Sequence, residues 1–128
     1  MKPPAATFAD APVWRIDVPP VDATDVSNVW LRIDYQGDEA RLSDASRLLD
    51  DNFWNGLPWT VGLRETLPGW RTAATSLHLQ VLPLRKGYPM YLEKGSALRF
   101  DPAGVADTLD AVHLIPQYQL LVDVPESK

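Results

Sequence analysis

Apolar and polar side chains alternate along several short segments of this chain. The clearest segment is 29–35, which begins at Val29, ends at Tyr35 and carries a large apolar residue at every second position. A period of two is typical of a β-strand with one buried face, because successive side chains of a strand point to opposite sides of the sheet. Shorter runs of the same kind predict the remaining strands. These are residues 13–18, 39–43, 47–50, 60–64, 76–84, 89–93, 112–115 and 118–124.

Proline, glycine and aspartate separate these segments at intervals of about eight to twelve residues. Pro19 and Pro20 end the first strand, since proline cannot donate to a sheet ladder, and Gly37 marks a hairpin turn. We expect residues 65–72 to be a loop with at most one helical turn, and residues 103–109 are the helix candidate. This pattern predicts an all-β fold with at most one short helix, an antiparallel β-sandwich or jelly roll.

Length and composition fit a single domain. The chain has 128 residues, of which 45% are apolar, and this is enough to bury one core. We expect a flexible lead-in over residues 1–11, one sandwich domain over 12–125 and a short polar tail over 126–128. Within the domain, the composition predicts loops at 21–27 and 51–59.

The charge balance argues against two classes of partner. Lys and Arg total 12 and Asp and Glu total 17, which gives a net charge of −5. Proteins that bind nucleic acid present a basic face, so we expect no nucleic-acid partner. We expect no membrane partner either, because no apolar run approaches the length of a spanning helix. The absence of cysteine excludes disulfides, thiol nucleophiles and thiolate metal sites.

Familiar catalytic motifs are missing from the sequence. It contains no phosphate-binding glycine loop, no HExxH zinc motif and no GxSxG nucleophile motif. Its two histidines, His78 and His113, lie in strand-like segments; this favours ordinary strand side chains and leaves a two-histidine metal site open. A glycosidase needs two carboxyl groups that face each other across a cleft, whereas the adjacent Asp50 and Asp51 would point to opposite faces of a strand. We therefore expect no enzymatic activity.

The most informative segment is 50–59, which reads DDNFWNGLPW. It combines aromatic rings, carboxylates and amides. Carbohydrate recognition uses this mixture, because an aromatic face packs on the apolar side of a sugar ring while polar groups bond to its hydroxyls. We expect Trp54 and Trp59 to be stacking platforms and Phe53 to be a core residue. The predicted carbohydrate-binding residues are Asp50, Asp51, Asn52, Trp54, Asn55, Trp59 and Arg64.

The same segment also has a purely structural interpretation. Asp and Asn are common turn residues, and the aromatic rings would then close the edge of the core. Oxygen-rich loops can bind a structural calcium ion, but no ligand spacing marks such a site, so we expect no cofactor. A second candidate ligand surface is the outward row of Trp30, Arg32 and Asp34, for which an ion-paired sheet face is the alternative. Trp70 is a further candidate for an exposed aromatic residue.

Two stretches of the chain resemble a known family. The pattern LRIDY-x-GD-x-ARL within residues 29–42, followed by LLDDNFWNG-x-PW-x-VGLR ending at Arg64, is similar to the β-sandwich accessory domains of bacterial β-galactosidases of glycoside hydrolase family thirty-five. The resemblance implies a galactose-binding-like jelly roll without catalytic residues. It also implies a glycosidase catalytic domain as a partner, and it leaves open whether the domain binds a glycan or galactoside ligand or only supports that enzyme.

Two functions follow as hypotheses. The first is a carbohydrate-binding module, and the second is a structural or interaction domain that packs on an enzyme barrel or self-associates. Trp54 and Trp59 exposed at a rim among carboxylates would favour the first, and a flat apolar patch would favour the second. Met1 is not followed by an apolar stretch, so we expect no signal peptide. The sequence leaves the location open between the bacterial cytoplasm and, for a domain of a larger enzyme, the periplasm or exterior.

Overall fold

The computed structural model describes residues 8, 11–45, 47–85, 101–102 and 104–119. Within this part of the chain the backbone forms nine strands and one helical turn. The elements are β1 (Val13–Val18), β2 (Val26–Gln36), β3 (Glu39–Ser43), β4 (Leu48–Phe53), β5 (Trp59–Gly62), α1 (Leu63–Thr66), β6 (Thr75–Val81), β7 (Leu84–Arg85), β8 (Val105–Ala106) and β9 (Thr108–Tyr118).

The strands form two main sheets. One has four strands in the order β1-β6-β3-β4, and the other has three strands in the order β5-β2-β9. The short strands β7 and β8 pair separately, and the pairings in all three sheets are antiparallel. The predicted all-β sandwich with one short helix is therefore confirmed.

The core lies between the two larger sheets. Leu31 and Ile33 of β2, Leu42 of β3, and Leu77 and Leu79 of β6 have no measurable exposure to solvent. These side chains belong to one apolar cluster that joins both sheets. Alternate residues of β1, β2, β3, β5 and β6 enter this cluster, because a strand directs successive side chains to opposite faces.

The other side of β2 faces outward, as the alternation predicts. Trp30 is 36% exposed, and the Arg32 Nε lies 3.6 Å from an Asp34 carboxylate oxygen. Tyr35, the last apolar residue of the predicted segment, is buried. The predicted assignment of the two faces of this strand is correct.

Two strands extend into segments that the sequence predicts as loops. β2 begins at Val26, inside the predicted loop 21–27, and β4 continues to Phe53, inside the predicted loop 51–59. Pairing with a neighbouring strand accounts for both extensions, since β2 pairs with β9 back to Val26 and β4 pairs with β3 as far as Phe53. The ladder supplies backbone hydrogen bonds that outweigh the turn preference of Asp and Asn.

The one helical turn lies at Leu63–Thr66, and the helix prediction for 103–109 is wrong. That segment contains β8 and the start of β9. The buried side chain of Asn28 holds α1 in place, because its Oδ1 accepts the N–H of Arg64 at 2.9 Å. An amide on β2 thus satisfies a donor in the first turn of the helix, and the local sequence gives no sign of this contact.

The last described strand runs without a break through Pro116, contrary to the predicted split between 112–115 and 118–124. Pro116 lies opposite Val29 in the ladder. β9 is the outer strand of its sheet, and an edge position tolerates the missing N–H of proline. The predicted strand 89–93, the end of the strand predicted for 118–124 and the tail 126–128 lie outside the described residues.

Part of the predicted lead-in contacts the four-stranded sheet. The Gln80 side chain donates a hydrogen bond of 2.7 Å to the carbonyl oxygen of Phe8. The guanidinium carbon of Arg41 lies 3.9 Å from the centre of the Phe8 ring. Ala11 is buried, and its N–H donates to the same Phe8 carbonyl at 3.2 Å. Phe8 and Ala11 therefore pack on the domain that follows them.

Candidate functional site

The two tryptophans predicted as stacking platforms lie in the core. Trp54 is 4% exposed and Trp59 is 6% exposed. Both pack on Tyr35, with ring centres separated by 6.4 Å for Trp54 and 6.3 Å for Trp59. These are usual separations for aromatic pairs in protein interiors. The prediction that Trp54 and Trp59 form an exposed platform is therefore wrong.

Phe53, predicted to be a core residue, is instead 69% exposed. It is the last residue of β4, where it lies opposite Glu39 on β3. The neighbouring pair, Asn52 and Ala40, points inward, so the alternation of the strand turns Phe53 outward. The outward direction of the Phe53 ring is thus set by the pairing of β4 with β3.

Asn52 holds the aromatic cluster together. Its side-chain Nδ2 donates a hydrogen bond of 2.8 Å to the Tyr35 hydroxyl, and that hydroxyl lies 3.2 Å from the Asn52 carbonyl oxygen, to which it donates. Burial raises the pKa of Tyr35 well above its usual value, so this hydroxyl keeps its proton. The side-chain amide of Asn52, which was predicted to bind a ligand, therefore donates to a group of the protein itself.

The two adjacent carboxylates of the predicted site lie on β4 and face different ways. Asp51 is exposed and lies opposite Arg41, whereas Asp50 is half-buried and lies opposite the core residue Leu42. The Asp50 side chain accepts the N–H of Asp51 at 2.9 Å. This agrees with the expectation that neighbouring carboxylates on a strand point to opposite faces.

The remaining predicted residues lie apart from these. Asn55 is exposed, and its Oδ1 accepts the N–H of Leu57 at 3.1 Å, within a turn that includes Gly56 at a φ of 92°. Arg64 is exposed on α1, beside Asn28. The predicted carbohydrate-binding residues therefore do not converge on a single surface, and their role in binding stays a prediction.

Trp70, predicted as an exposed aromatic residue, is also buried, with 6% exposure. The guanidinium carbon of Arg71 lies 4.2 Å from the centre of its ring. The same guanidinium donates to the carbonyl oxygens of Ala23 and Val26 at 3.0 and 2.6 Å. Arg71 thus joins Trp70 to the chain that enters β2, which is a structural role.

An open groove lies at the end of β2 where three parts of the chain meet. Its volume is about 350 Å³. Of the predicted carbohydrate-binding residues, Trp54 lines it. Among the described residues, its lining consists of Asp34, Tyr35 and Gln36 from β2, Trp54, Gly56, Leu57 and Pro58 from the β4–β5 connection, and Asp110 and Ala111 from β9.

The polar side of the groove is held by short internal contacts. The Gln36 Nε2 donates to one oxygen of Asp110 at 3.3 Å, and the Thr108 hydroxyl donates to the other at 3.0 Å. Asp34 keeps its ion pair with Arg32 at 3.6 Å. Both carboxylates are thus oriented in advance, and each retains capacity to accept further hydrogen bonds, because an ionised carboxylate offers about four lone-pair positions.

The opposite wall of the groove is apolar. It contains the buried Trp54 and the more exposed Leu57, of which 47% is accessible, together with Pro58. A small ligand in this groove would meet hydrogen-bond acceptors on one side and an apolar surface on the other. This combination suits a polyhydroxylated molecule that also has an apolar face.

A shift in strand register positions Asp110. Asp34 pairs with Ala111, but the next residue of β2, Tyr35, pairs with Leu109. Asp110 is therefore an extra residue of β9, as in a β-bulge, a feature that often redirects a side chain beside a functional site. The sequence identified Asp34 as outward-facing, but it did not reveal Gln36 or Asp110, because the helix prediction for 103–109 hid the start of β9.

A metal centre has no candidate group of ligands in the part of the chain that the structure describes. His78 lies on β6 and His113 on β9, which belong to different sheets. Among the described residues, no group of three or more His, Asp or Glu side chains is arranged to hold a metal ion. No described helix is long and apolar enough to cross a membrane.

Two carboxylates away from the groove have unusual environments. Burial raises the pKa of Asp107 to about 6, and one of its oxygens is buried without a hydrogen-bond partner among the described residues. Burial, together with the nearby charges of Asp51 and Asp38, also raises the pKa of Glu39, although Arg41 opposes the shift. Neither Asp107 nor Glu39 lines the groove.

Comparison with known proteins does not assign a family. No protein-family model gives a significant match to the chain, and neither does any curated protein or any solved structure. The candidate site therefore depends on its own geometry.

Proposed function

We propose that this domain is a non-catalytic carbohydrate-binding or accessory module of the kind that accompanies glycoside hydrolases, with its sugar site in the groove at the end of β2. The observation that carries the proposal is the pairing of Asp34, Gln36 and Asp110 with the apolar wall of Trp54 and Leu57. Sugars need both surfaces, because a pyranose ring has hydroxyls at its rim and C–H groups on its faces. The resemblance of residues 29–64 to accessory domains of β-galactosidases supports the same proposal.

In this arrangement the carboxylates of Asp34 and Asp110 accept hydrogen bonds from sugar hydroxyls. The Gln36 side chain fixes the orientation of Asp110 through its 3.3 Å contact. Trp54 forms part of the apolar wall, and the exposed Leu57 packs on the face of the sugar ring. The ligand is a neutral sugar such as a galactoside, since two carboxylates disfavour an acidic one.

Calorimetry with galactose and with galactan oligosaccharides tests this proposal. Asp110→Asn keeps the size of the side chain but removes its charge, and hydrogen bonds to charged groups are strong, so we expect a loss of affinity of about tenfold or more. Asp22→Asn is the matched control, because Asp22 is exposed and does not line the groove. Equal affinities for wild type and Asp110→Asn would refute the groove as the binding site.

A screen on a broad glycan array accompanies the calorimetry, because the sugar is not fixed by the groove. Binding to a neutral glycan that Asp110→Asn weakens supports the proposal. No binding to any glycan on the array would contradict it and would favour the alternative described next.

The alternative is a structural or interaction domain that packs on an enzyme barrel or self-associates without binding sugar. Two exposed apolar side chains on the edge strand β4 favour it, since Leu48 is 53% exposed and Phe53 is 69% exposed. Apolar groups of this kind are common at protein interfaces. Sedimentation velocity over a range of concentrations tests self-association, which the double substitution Leu48→Ser and Phe53→Ser would abolish.

A further inference from the structure

The indole ring of Trp30 is fixed at both ends on the outward face of the three-stranded sheet. Its Nε1 donates a hydrogen bond of 2.9 Å to the side-chain oxygen of Gln117 on β9. The far side of the ring lies over Gly62 on β5, where an added Cβ would come within 3.1 Å of Cζ3 and 3.4 Å of Cη2. The ring therefore lies across the sheet from β9 to β5.

Glycine at position 62 makes this arrangement possible. Trp30 lies directly opposite Gly62 in the ladder, and a Cβ there would crowd both the ring and the Asn28 Nδ2, at 3.3 Å, so that these groups would have to move by a few tenths of an ångström. The one polar group of the indole is already bonded to Gln117. The 36% of Trp30 that remains exposed is therefore held rigidly in place, as a stacking surface requires.

The surface around Trp30 continues along β2 to the groove. Arg32 and Asp34 follow Trp30 on the same face, and Asp34 lines the groove. Asp34 lies four positions after Trp30 along an extended strand, a distance of about 13 Å. On β9 the facing residues are Ile115, opposite Trp30, and His113, opposite Arg32. We call the surface formed by these five residues the Trp30 face.

The chemistry of the Trp30 face suits a sugar chain better than a protein. Trp30 and Ile115 are apolar, but the next pair, Arg32 and His113, is polar and exposed, so the apolar area does not extend into a large patch. The Arg32 side chain is 45% exposed, and it can donate to hydroxyls while it keeps its contact with Asp34. A stacking ring at one end and hydrogen-bonding groups along the strip match an extended oligosaccharide.

We propose that the Trp30 face and the groove form one extended site for a neutral oligosaccharide. One sugar ring stacks on Trp30, a ring further along the chain occupies the groove between Asp34 and Asp110, and Arg32 and His113 contact the part between them. This inference rests on the proposed function, and it extends that function from a single sugar to a chain.

The test compares galactose with galactan oligosaccharides of increasing length by calorimetry. For wild type, affinity rises with chain length until both ends of the site are filled. Trp30→Ala lowers the affinity for the longer oligosaccharides about tenfold and leaves the affinity for galactose unchanged. Phe53→Ala is the matched control, because Phe53 is an exposed aromatic residue on the other sheet, and it changes neither affinity.

Two further measurements keep the test decisive if Trp30→Ala folds poorly. Gly62→Ala keeps the indole but crowds it, so the ring shifts by a few tenths of an ångström and oligosaccharide binding weakens in the same selective way, by less than in Trp30→Ala. In the wild-type protein, the NMR signal of the Trp30 indole N–H, identified by its loss in Trp30→Phe, shifts on addition of a long oligosaccharide and not on addition of galactose.

The possible outcomes separate this inference from the proposed function. In one outcome, galactose and long oligosaccharides bind equally well, and Trp30→Ala and Gly62→Ala leave both affinities unchanged. The groove then remains the binding site, and the extended site is overturned. If no sugar binds, the proposed function fails and the extended site fails with it. If binding needs Trp30 but is unaffected by Asp110→Asn, the groove is refuted, and so is a site that spans both surfaces.

Discussion

Asn52 and the hydroxyl of Tyr35 exchange two hydrogen bonds: the side-chain Nδ2 of Asn52 donates to the hydroxyl at 2.8 Å, and the hydroxyl donates to the main-chain carbonyl oxygen of Asn52 at 3.2 Å. Tyr35 belongs to the three-stranded sheet and Asn52 to the four-stranded sheet. The pair therefore ties the two layers of the sandwich together at the place where Trp54 and Trp59 pack on the same ring.

Removing the hydroxyl of Tyr35 tests how much its hydrogen bonds with Asn52 contribute to stability. Tyr35→Phe leaves a partly buried amide without its partner, so we expect the free energy of unfolding to fall by about 1 kcal/mol. Urea denaturation followed by circular dichroism measures it. Tyr118→Phe is the control, because Tyr118 is 67% exposed, and its effect stays within about 0.5 kcal/mol. Equal stabilities for the two variants would contradict a role for the pair.

Phe53 is exposed and Trp59 is buried, the reverse of what the sequence predicted, and this gives a second prediction about stability. Trp59→Ala opens a large cavity and costs about 3–5 kcal/mol, which is enough to unfold much of a marginally stable domain. Phe53→Ala removes a ring that is 69% exposed, and it changes the stability by less than about 1 kcal/mol. Thermal unfolding of the two variants decides between them, and a lower midpoint for Phe53→Ala than for Trp59→Ala would show that the observed burial is wrong.

The same burial affects how sugar binding should be tested. Substituting Trp54 and Trp59 together would remove two core side chains, so lost binding would report unfolding rather than a lost contact. Substitutions at Asp110 and Trp30 avoid this difficulty, since both side chains lie at the surface.

Asp107 predicts a pH dependence of stability. Its pKa is about 6 in the folded protein against 3.8 for the ordinary side chain, so the folded state holds the proton more tightly than the unfolded state. The stability that the protonated Asp107 carboxyl contributes to the folded state is fully present below about pH 4, and it is lost as the pH rises through about 6. Asp107→Asn removes the penalty, and we expect it to raise the free energy of unfolding at pH 7 by about 1 kcal/mol, because solvent screens part of the full shift.

Urea denaturation at pH 4 and at pH 7 measures the effect of Asp107→Asn. The gain over wild type should be present at pH 7 and nearly absent at pH 4. Thr72→Ala, an exposed substitution without a change of charge, serves as the reference. A gain of the same size at both pH values would rule out ionisation of Asp107 as its origin.

The turn between β2 and β3 gives a prediction about glycine. A Cβ added at Gly37 would overlap the Val81 side chain and lie 2.9 Å from the carbonyl oxygen of Leu82. That carbonyl already accepts the N–H of Asp38 at 2.8 Å, so the backbone has little freedom to move away. We expect Gly37→Ala to cost about 1–3 kcal/mol.

Gly69→Ala is the matched control for Gly37→Ala. A Cβ at Gly69 would have its nearest neighbour, the Cβ of Ala73, at 3.8 Å, which is ordinary contact. Both variants are compared by the urea concentration at the midpoint of unfolding. If Gly37→Ala were as stable as Gly69→Ala, the close approach of the turn to β6 would be disproved.

The architecture could be predicted where a strand carries its own pattern. β2 alternates apolar and polar residues from Val29 to Asp34, so its buried and exposed faces follow from the sequence. β4 lacks this pattern in its second half, where Asp50, Asp51 and Asn52 stand in a row. Which of those side chains points inward is decided by pairing with β3, and for this reason the exposure of Phe53 could not be predicted from the local pattern.

The candidate site was predictable only in part. Asp34 followed from the alternation of β2, and the concentration of aromatic residues drew attention to Trp54. The position of Asp110 depends on a one-residue register shift between β2 and β9. The two strands are far apart in the sequence, since Gln36 and its partner Asp110 are more than 70 residues apart. A local pattern carries no information about such a register, since long-range pairing sets it.

Pro116 affects how this protein behaves next to copies of itself. Among the described strands, none pairs with the outer edge of β9, and an unpaired edge is a template on which a strand from another molecule can grow. The exposed side chains of Ile115 and Tyr118 would make such growth more favourable. Proline lacks a backbone donor and is typical of edge strands, where it discourages pairing with a further strand. We therefore expect Pro116 to limit such growth on β9, the same strand that carries one wall of the groove.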